Sequence, residues 1–206
     1  MAEMATETPR LAPFGATLTP GRYGAKGPDG PAVTLGLRHP LSIVAIMARK
    51  GRAEPLAAAM RDGFGLAPPG PGQSAAAQDL ALRWAGPEQW FAIAAGGRDG
   101  DLHRRLAAAL ADTASLVDQS HGRVAIVIAG PRARAVLAKG TAVDLHPASF
   151  RPGQVAMTQM AHVGVQLTET APDVFELLVF RSFAESLFEF LAAMAAEYGY
   201  EVGSRQ

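Results

Sequence analysis

The 206-residue chain contains no cysteine. That excludes disulfides, thiolate catalysis and Cys-ligated zinc or iron–sulfur centres, and it suits a reducing compartment. Charge is also scarce. Charged residues make up 18% of the chain, against roughly 25% in an average soluble protein. Lys+Arg and Asp+Glu each number 19, so the formal net charge is zero. A neutral chain carries no electrostatic footprint for nucleic acid or an anionic membrane surface. It is also poorly protected against association, since roughly 2–8 net charges help keep a small domain soluble. A protein that lives in a complex has this profile, and so does one from a high-GC genome rich in Ala, Gly, Pro and Arg. No apolar run approaches the roughly 18–20 residues of a membrane span. The opening MAEMATETPR has no basic start followed by an apolar stretch, so it does not read as a secretory signal. The expectation is a cytoplasmic protein.

Hydrophobic residues make up 49% of the chain, enough for a sizeable core, and the length suits one domain or two small halves sharing that core. Residues 1–30 read as a Pro/Gly-rich arm, with Pro9, Pro13, Pro20 and Pro28, Pro31 just beyond, and five glycines from Gly15 to Gly30. Such a segment resists helix and ladder pairing. Leu11, Phe14, Leu18 and Tyr23 are spaced anchors that favour docking, on the chain's own body or on a partner, over a free terminus. Residues 31–206 read as a single domain of two halves, with an internal break at the Pro/Gly stretch of residues 67–78.

Within that domain, strands are expected at 32–37, 42–48, 80–84, 89–95, 115–119, 123–129, 154–160, 163–168 and 174–180. The near-continuous apolar run Ile43, Val44, Ala45, Ile46, Met47 suits a strand covered on both faces. Helices are expected at 55–64, at 101–110 behind an Asp101 cap, and at 131–139, entered by Pro131 and closed by Gly140. The last helix carries an apparent capping box, Ser182 with Glu185. Its apolar stripe is Phe183, Leu187, Phe190, Leu191, Met194 and Tyr198, and Gly199 stands where a left-handed C-terminal residue is wanted. Pairs of strands alternate with helices twice over. The fold class is therefore α+β: mostly antiparallel sheet with helices on one side, of doubled ferredoxin-like character but without a strict internal repeat.

Catalytic signatures are absent: no Walker loop, no GxGxxG after a strand, and no HExxH, GxSxG or kinase motif. Gly96, Gly97 and Gly100 fall in a strand-to-helix turn able to hold a phosphate, but Asp99 and Asp101 there would repel one. The histidines 39, 103, 121, 146 and 162 show no helical metal-ligand spacing. Asp118, Ser120 and His121 form the one cluster resembling a triad. Strand alternation puts His121 opposite the other two and no nucleophile elbow is present, so a turn whose side chains satisfy local backbone groups is the reading adopted. The expectation is no catalytic, cofactor-binding or metal-binding residue on this chain. Trp84 and Trp90 flank a turn, where they could stack a planar ligand or serve as core or interface anchors. By residue type, Arg22, Tyr23, Trp84 and Trp90 are the candidate partner-interface residues.

The order and spacing of several segments resemble one family. They are GRYG (21–24), LRH (37–39), WAGPEQW (84–90), VDQSHGRV (117–124), GPRARAVLAKG (130–140), DLHP (144–147), PG (152–153), AHVG (161–164) and FRSF (180–183). Together they resemble the gamma subunit of heterotetrameric sarcosine oxidase. That resemblance implies a bacterial complex with alpha, beta and delta partners, which demethylates N-methylglycine oxidatively to glycine and hydrogen peroxide. The one-carbon unit goes to tetrahydrofolate or leaves as formaldehyde, and FAD, FMN and NAD sit on the large subunits. More distantly, residues 117–191 resemble the folate-binding fold of the glycine-cleavage aminomethyltransferases. There the hairpin after the Pro-Gly loop carries acidic residues near the pterin; here it reads AHVGVQL (161–167), without them. The alternatives are a stand-alone folate-binding or aminomethyltransferase-like protein, and a gamma-like subunit of a related N-methyl amino acid oxidase or dehydrogenase.

Overall fold

The computed structural model describes residues 19–27, 30–97 and 99–203. The anchors Leu11, Phe14 and Leu18 and the prolines 9, 13 and 28 lie outside the described residues. In chain order the strands are β1 (Gly21–Tyr23), β2 (Val33–Arg38), β3 (Leu41–Ala48), β4 (Ser74–Ala77), β5 (Leu80–Gly86), β6 (Gln89–Ala95) and β7 (Ala114–Asp118). They continue with β8 (Arg123–Ala129), β9 (Val155–Met160), β10 (Val163–Ala171), β11 (Val174–Phe180) and β12 (Tyr200–Val202). The helices are α1 (Ala53–Phe64), α2 (Asp101–Leu110), α3 (Ala133–Leu137) and α4 (Ala184–Ala195). Among the described residues no helix is long and apolar enough to cross a membrane.

The strands form a seven-stranded sheet, β1-β12-β2-β8-β11-β10-β9, and a five-stranded sheet, β4-β5-β6-β3-β7. The smaller sheet with α1 and α2 is a βαββαβ ferredoxin-like unit, β3-α1-β5-β6-α2-β7, whose hairpin partner β4 extends one edge. The larger sheet repeats the plan as β8-α3-β10-β11-α4-β12, with β9 as the added edge hairpin. Between its first strand β8 and its last strand β12 lies β2, contributed from upstream of the first unit. That insertion explains why β12 and β2 pair in parallel while the other paired strands run antiparallel.

Strand alternation sorts the side chains into layers. In β11, Phe175, Leu177 and Val179 pack toward Ala184, Leu187 and Leu191 of α4 and Val136 and Leu137 of α3. On the smaller sheet, Val44, Ile46, Leu82 and Ala92 pack on Leu56 and Met60 of α1 and Leu102 and Leu106 of α2. The opposite faces meet each other through Leu41, Ile43, Phe91, Ile93, Ala125 and Leu178. Each sheet therefore has helices on one side, as expected, and the other sheet on its second side. This explains the apolar run of β3, which is covered on both faces.

The chain crosses between sheets at His39-Pro40, a cis bond, and at the loop of residues 119–122. The Pro/Gly stretch of residues 67–78 lies within the first unit, and its end forms β4. There a bridge from Gln73 to Gln154 ties the two sheets together, and Ser74 N donates to Gly153 O at 2.7 Å. The described part of the arm docks on the chain's own body. β1 pairs with β12, and the Tyr23 ring stacks on Tyr200 at 5.3 Å.

Several local expectations are corrected. α4 is preceded by a 3-10 turn, Arg181–Phe183, so its cap position is Phe183, and no side-chain cap forms from Ser182. Glu185 instead places its charge in the first helical turn, where the helix dipole favours it. Phe183 leaves the apolar stripe and is 50% exposed. Gly199 has φ 70° but ψ 134°, following a second 3-10 turn, so it is not a left-handed helical cap. Asp101 is the first residue of α2 behind Gly100 and makes no side-chain cap bond. Its partner is Arg104, one turn on.

Candidate functional site

The facing layer between the sheets is mainly apolar, but it contains a charged cluster. Arg83 on β5 reaches across to Glu176 on β11, with Nη2 donating to Oε2 at 2.5 Å, while Arg38 on β2 donates from Nη1 to Oε1 at 3.0 Å. The Arg83 and Glu176 side chains are buried and Arg38 is partly open. Burial alone would raise the Glu176 pKa; the charges of Arg83 and then Arg38, with their hydrogen bonds, outweigh it and hold the carboxyl below its ordinary value. Glu176 is thus an ionised structural acceptor rather than a proton donor near neutral pH. Gln166 closes the cluster's flank by donating Nε2 to Trp84 O at 2.9 Å.

Beside this cluster is a cavity of about 600 Å³, lined by Thr34, Gly36, Val127 and Ala129 with Arg38 and Glu176 at its wall. Small side chains on β2 and β8 create it. Its lining can seat a compact apolar group against an ion pair; its hydroxyl, Thr34, and its histidine, His39, stand toward opposite ends of β2.

A second ion cluster lies on the helix side of the larger sheet. Arg134 of α3 donates Nη2 to the fully buried Glu169 at 2.5 Å and Nε to Asp173 at 2.7 Å. It also donates Nη1 to the carbonyls of Leu145 and Phe150. One guanidinium therefore ties α3, the loop of residues 144–150 and the β10–β11 turn together.

The triad-like residues are otherwise engaged. Asp118 Oδ1 accepts from Ser120 N at 2.8 Å, an Asx turn. Ser120 Oγ accepts from Ile43 N at 3.0 Å. His121 Nε2 lies 3.2 Å from Asp99 Oδ2 rather than against Ser120. Asp118 and Ser120 thus satisfy backbone groups, as read from the sequence, whereas His121 faces a side chain. Among the described residues no three His, Cys, Asp or Glu side chains converge as a metal site would require.

The four interface candidates do not come together. Arg22 pairs with Glu201 at 3.3 Å and Tyr23 stacks on Tyr200, both at the β1 edge of the larger sheet. Trp84 and Trp90 are a cross-strand pair on the β5–β6 hairpin, near the opposite β9 edge, and are half-buried. Trp90 Nε1 donates to Pro69 O at 2.8 Å, pinning the Pro/Gly loop.

In the β9–β10 hairpin the turn residues are Ala161 and His162, with φ 49° and 70°. No carboxylate stands there to accept from a pterin N–H edge. The buried carboxylates of the adjoining strands, Glu169 and Glu176, are held by arginines. These residues do not fit a pterin.

Sequence reading missed the Arg38–Arg83–Glu176 cluster and the placement of Arg123 between two phenylalanines. The signal was a charge inside an otherwise apolar strand: Glu176 in VFELLVF and Arg83 in LALRWAG.

Comparison with known proteins places these features in a family. The model of the sarcosine oxidase, gamma subunit family matches residues 49–197. The sarcosine oxidase subunit gamma of Arthrobacter sp. is 32% identical over 176 residues, 84% of this chain and 85% of that one. The corresponding subunit of Corynebacterium sp. (strain P-1) is 32% identical over 125 residues, where the match spans 61% of its length and 60% of this chain. A chain of the heterotetrameric sarcosine oxidase from Corynebacterium sp. U-96, solved in complex with pyrrole 2-carboxylate, superposes with a TM-score of 0.74 at 26% identity. That superposition covers 85% of this chain and 88% of the other. The glycine cleavage system aminomethyltransferase T from Bartonella henselae shares the fold, with a TM-score of 0.59 at 18% identity over 82% of this chain and 50% of that one. The chain belongs to the sarcosine oxidase gamma subunit family.

Proposed function

We propose that this chain is the gamma subunit of a heterotetrameric sarcosine oxidase, an accessory subunit working beside alpha, beta and delta partners. On this reading the complex oxidatively demethylates sarcosine to glycine. It passes the one-carbon unit to tetrahydrofolate and forms hydrogen peroxide, with FAD, FMN and NAD carried by the other subunits. The observation that carries the reading is the superposition on a chain of a heterotetrameric sarcosine oxidase over most of both chains. The geometry is compatible: the buried acids Glu169 and Glu176 are paired with arginines, and Ser120 and His121 are committed to separate contacts. Arg22, Tyr23, Trp84 and Trp90 are proposed contacts to the partners, on two separate surfaces.

The test is co-purification of a tagged chain from its native host. The expected result is a yellow complex that contains larger subunits, shows flavin absorbance and consumes oxygen with sarcosine. A colourless chain recovered alone would overturn the reading. Calorimetric titration of the isolated chain with tetrahydrofolate separates out the folate-binding alternative, for which micromolar binding is the required outcome.

A further inference from the structure

Among the described residues, three of the five large hydrophobic residues that stand exposed, Val117, Phe180 and Phe183, lie on segments flanking the loop of residues 119–122. Val117 precedes the loop. Phe180 and Phe183 bracket Arg181, whose N–H donates to Gly122 O at 2.9 Å. Directly across the β8–β11 ladder from Phe180 is Arg123. Its guanidinium carbon is 4.1 Å from the Phe180 ring centroid and 4.5 Å from that of Phe91. Phe91 is buried beneath it, whereas Phe180 is 48% exposed. Val117 extends the patch along one rung of the smaller sheet, Phe91–Ala45–Val117.

Arg123 is short of partners. Its Nε is buried without an acceptor, and no ion pair reaches it among the described residues. Burial pulls its pKa below the usual arginine value. The carboxylate closest in sequence, Asp118, accepts from Ser120 N, and Asp99, at the same loop, faces His121. Two aromatic rings hold the guanidinium, yet none of the described residues supplies a counter-charge. The donor edge of such a group matches a carboxylate, bidentately and with geometric preference. An exposed aromatic stacked on an arginine beside further exposed apolar residues is the composition of a binding hot spot rather than of ordinary surface.

We infer that the Val117–Arg123–Phe180 patch docks another subunit of the oxidase, and that the partner offers Arg123 an aspartate or glutamate flanked by apolar side chains. This rests on the accessory-subunit reading, and the experiment separates the two. The other subunits, co-expressed and purified without this chain, are titrated with the fluorescently labelled full chain. Wild type binds. Arg123→Glu weakens binding about a hundredfold or more, because it sets like charges together in a desolvated contact. Phe180→Ser weakens it about tenfold or more. Arg61→Glu, the same charge change on the exposed face of α1, leaves binding unchanged.

Failure of wild type to bind would overturn the accessory reading itself. Wild-type binding with Arg123→Glu and Phe180→Ser unaffected would overturn this inference alone. Hydroxyl-radical footprinting of the wild-type complex needs no variant: Phe180 and Phe183 lose labelling severalfold on assembly, and unchanged labelling refutes the inference. A chain that dimerises alone, and stops doing so as Arg123→Glu in sedimentation, would make the patch a contact between copies and refute it too.

Discussion

Glu176→Gln tests whether the cluster between the sheets is a set of desolvated charges. In the wild type Glu176 answers two guanidiniums, one of them on Arg83, whose side chain is only 3% exposed. Glutamine keeps the shape and one acceptor but removes the charge. Arg83 is then buried without a counter-charge, a change that costs about 3–5 kcal/mol. At about 2–4 °C per kcal/mol for a chain of this size, the midpoint falls by about 6–20 °C. The assay is thermal unfolding of the purified chain at pH 7, at matched concentration. Replacing both groups, as Arg83→Met with Glu176→Leu, recovers most of the loss, because no charge is left stranded. The sign with pH follows from the depressed pKa of Glu176. Its stabilisation is complete above the unfolded value, near 4.5, and is lost as pH falls through the lower folded value. The gap between wild type and Glu176→Gln therefore narrows as pH drops below about 4.5. A variant within about 2 °C of wild type at pH 7, or a gap that stays constant on acidification, refutes the reasoning.

Gly140→Ala places a methyl carbon 2.5 Å from Met160 Sδ and 2.7 Å from the Phe190 ring; the expected loss is about 1–3 kcal/mol, read as a lower urea midpoint at unchanged m-value. Ser120→Ala removes the acceptor of Ile43 N; it lowers stability by about 1 kcal/mol and leaves sarcosine turnover by the assembled complex unchanged, whereas a turnover loss of tenfold or more would reinstate the triad. Trp90→Phe deletes the bond to Pro69 O; it lowers stability by about 0.5–1.5 kcal/mol and speeds amide exchange in the loop of residues 67–73 relative to the rest of the chain.

The fold was legible where apolar periodicity is strong. β3, β8 and β11 carry long β-branched or aliphatic runs, and α2 shows Leu102, Leu106 and Leu110 on one face; these elements stand where the pattern put them. β4 was illegible because its sequence is SAAA, and alanine has little strand preference; pairing with β5 imposes its conformation. β1 and β12 were hidden by their brevity and by the glycines beside them. The capping box at Ser182 misled because a 3-10 turn over Arg181–Phe183 moves the cap position of the helix one residue on, to Phe183. Around the site, the local turn Asp118–Ser120 could be read, since its contacts span two residues. Arg83 with Glu176, 93 residues apart, could not, because that contact exists only once the two sheets face each other, and Arg123 over Phe180 depends on the long-range pairing of β8 with β11.

The insertion of β2 between β8 and β12 threads the two ferredoxin-like units through each other. A cut in the loop of residues 119–122 would not release two self-sufficient modules. The downstream piece would carry a slot one strand wide, with the ladder groups of β8 and β12 unsatisfied on either side, and the upstream piece would carry the missing strand as an orphan. The halves must therefore melt as one cooperative body, and neither can be exchanged for its counterpart from a relative without bringing β2 along.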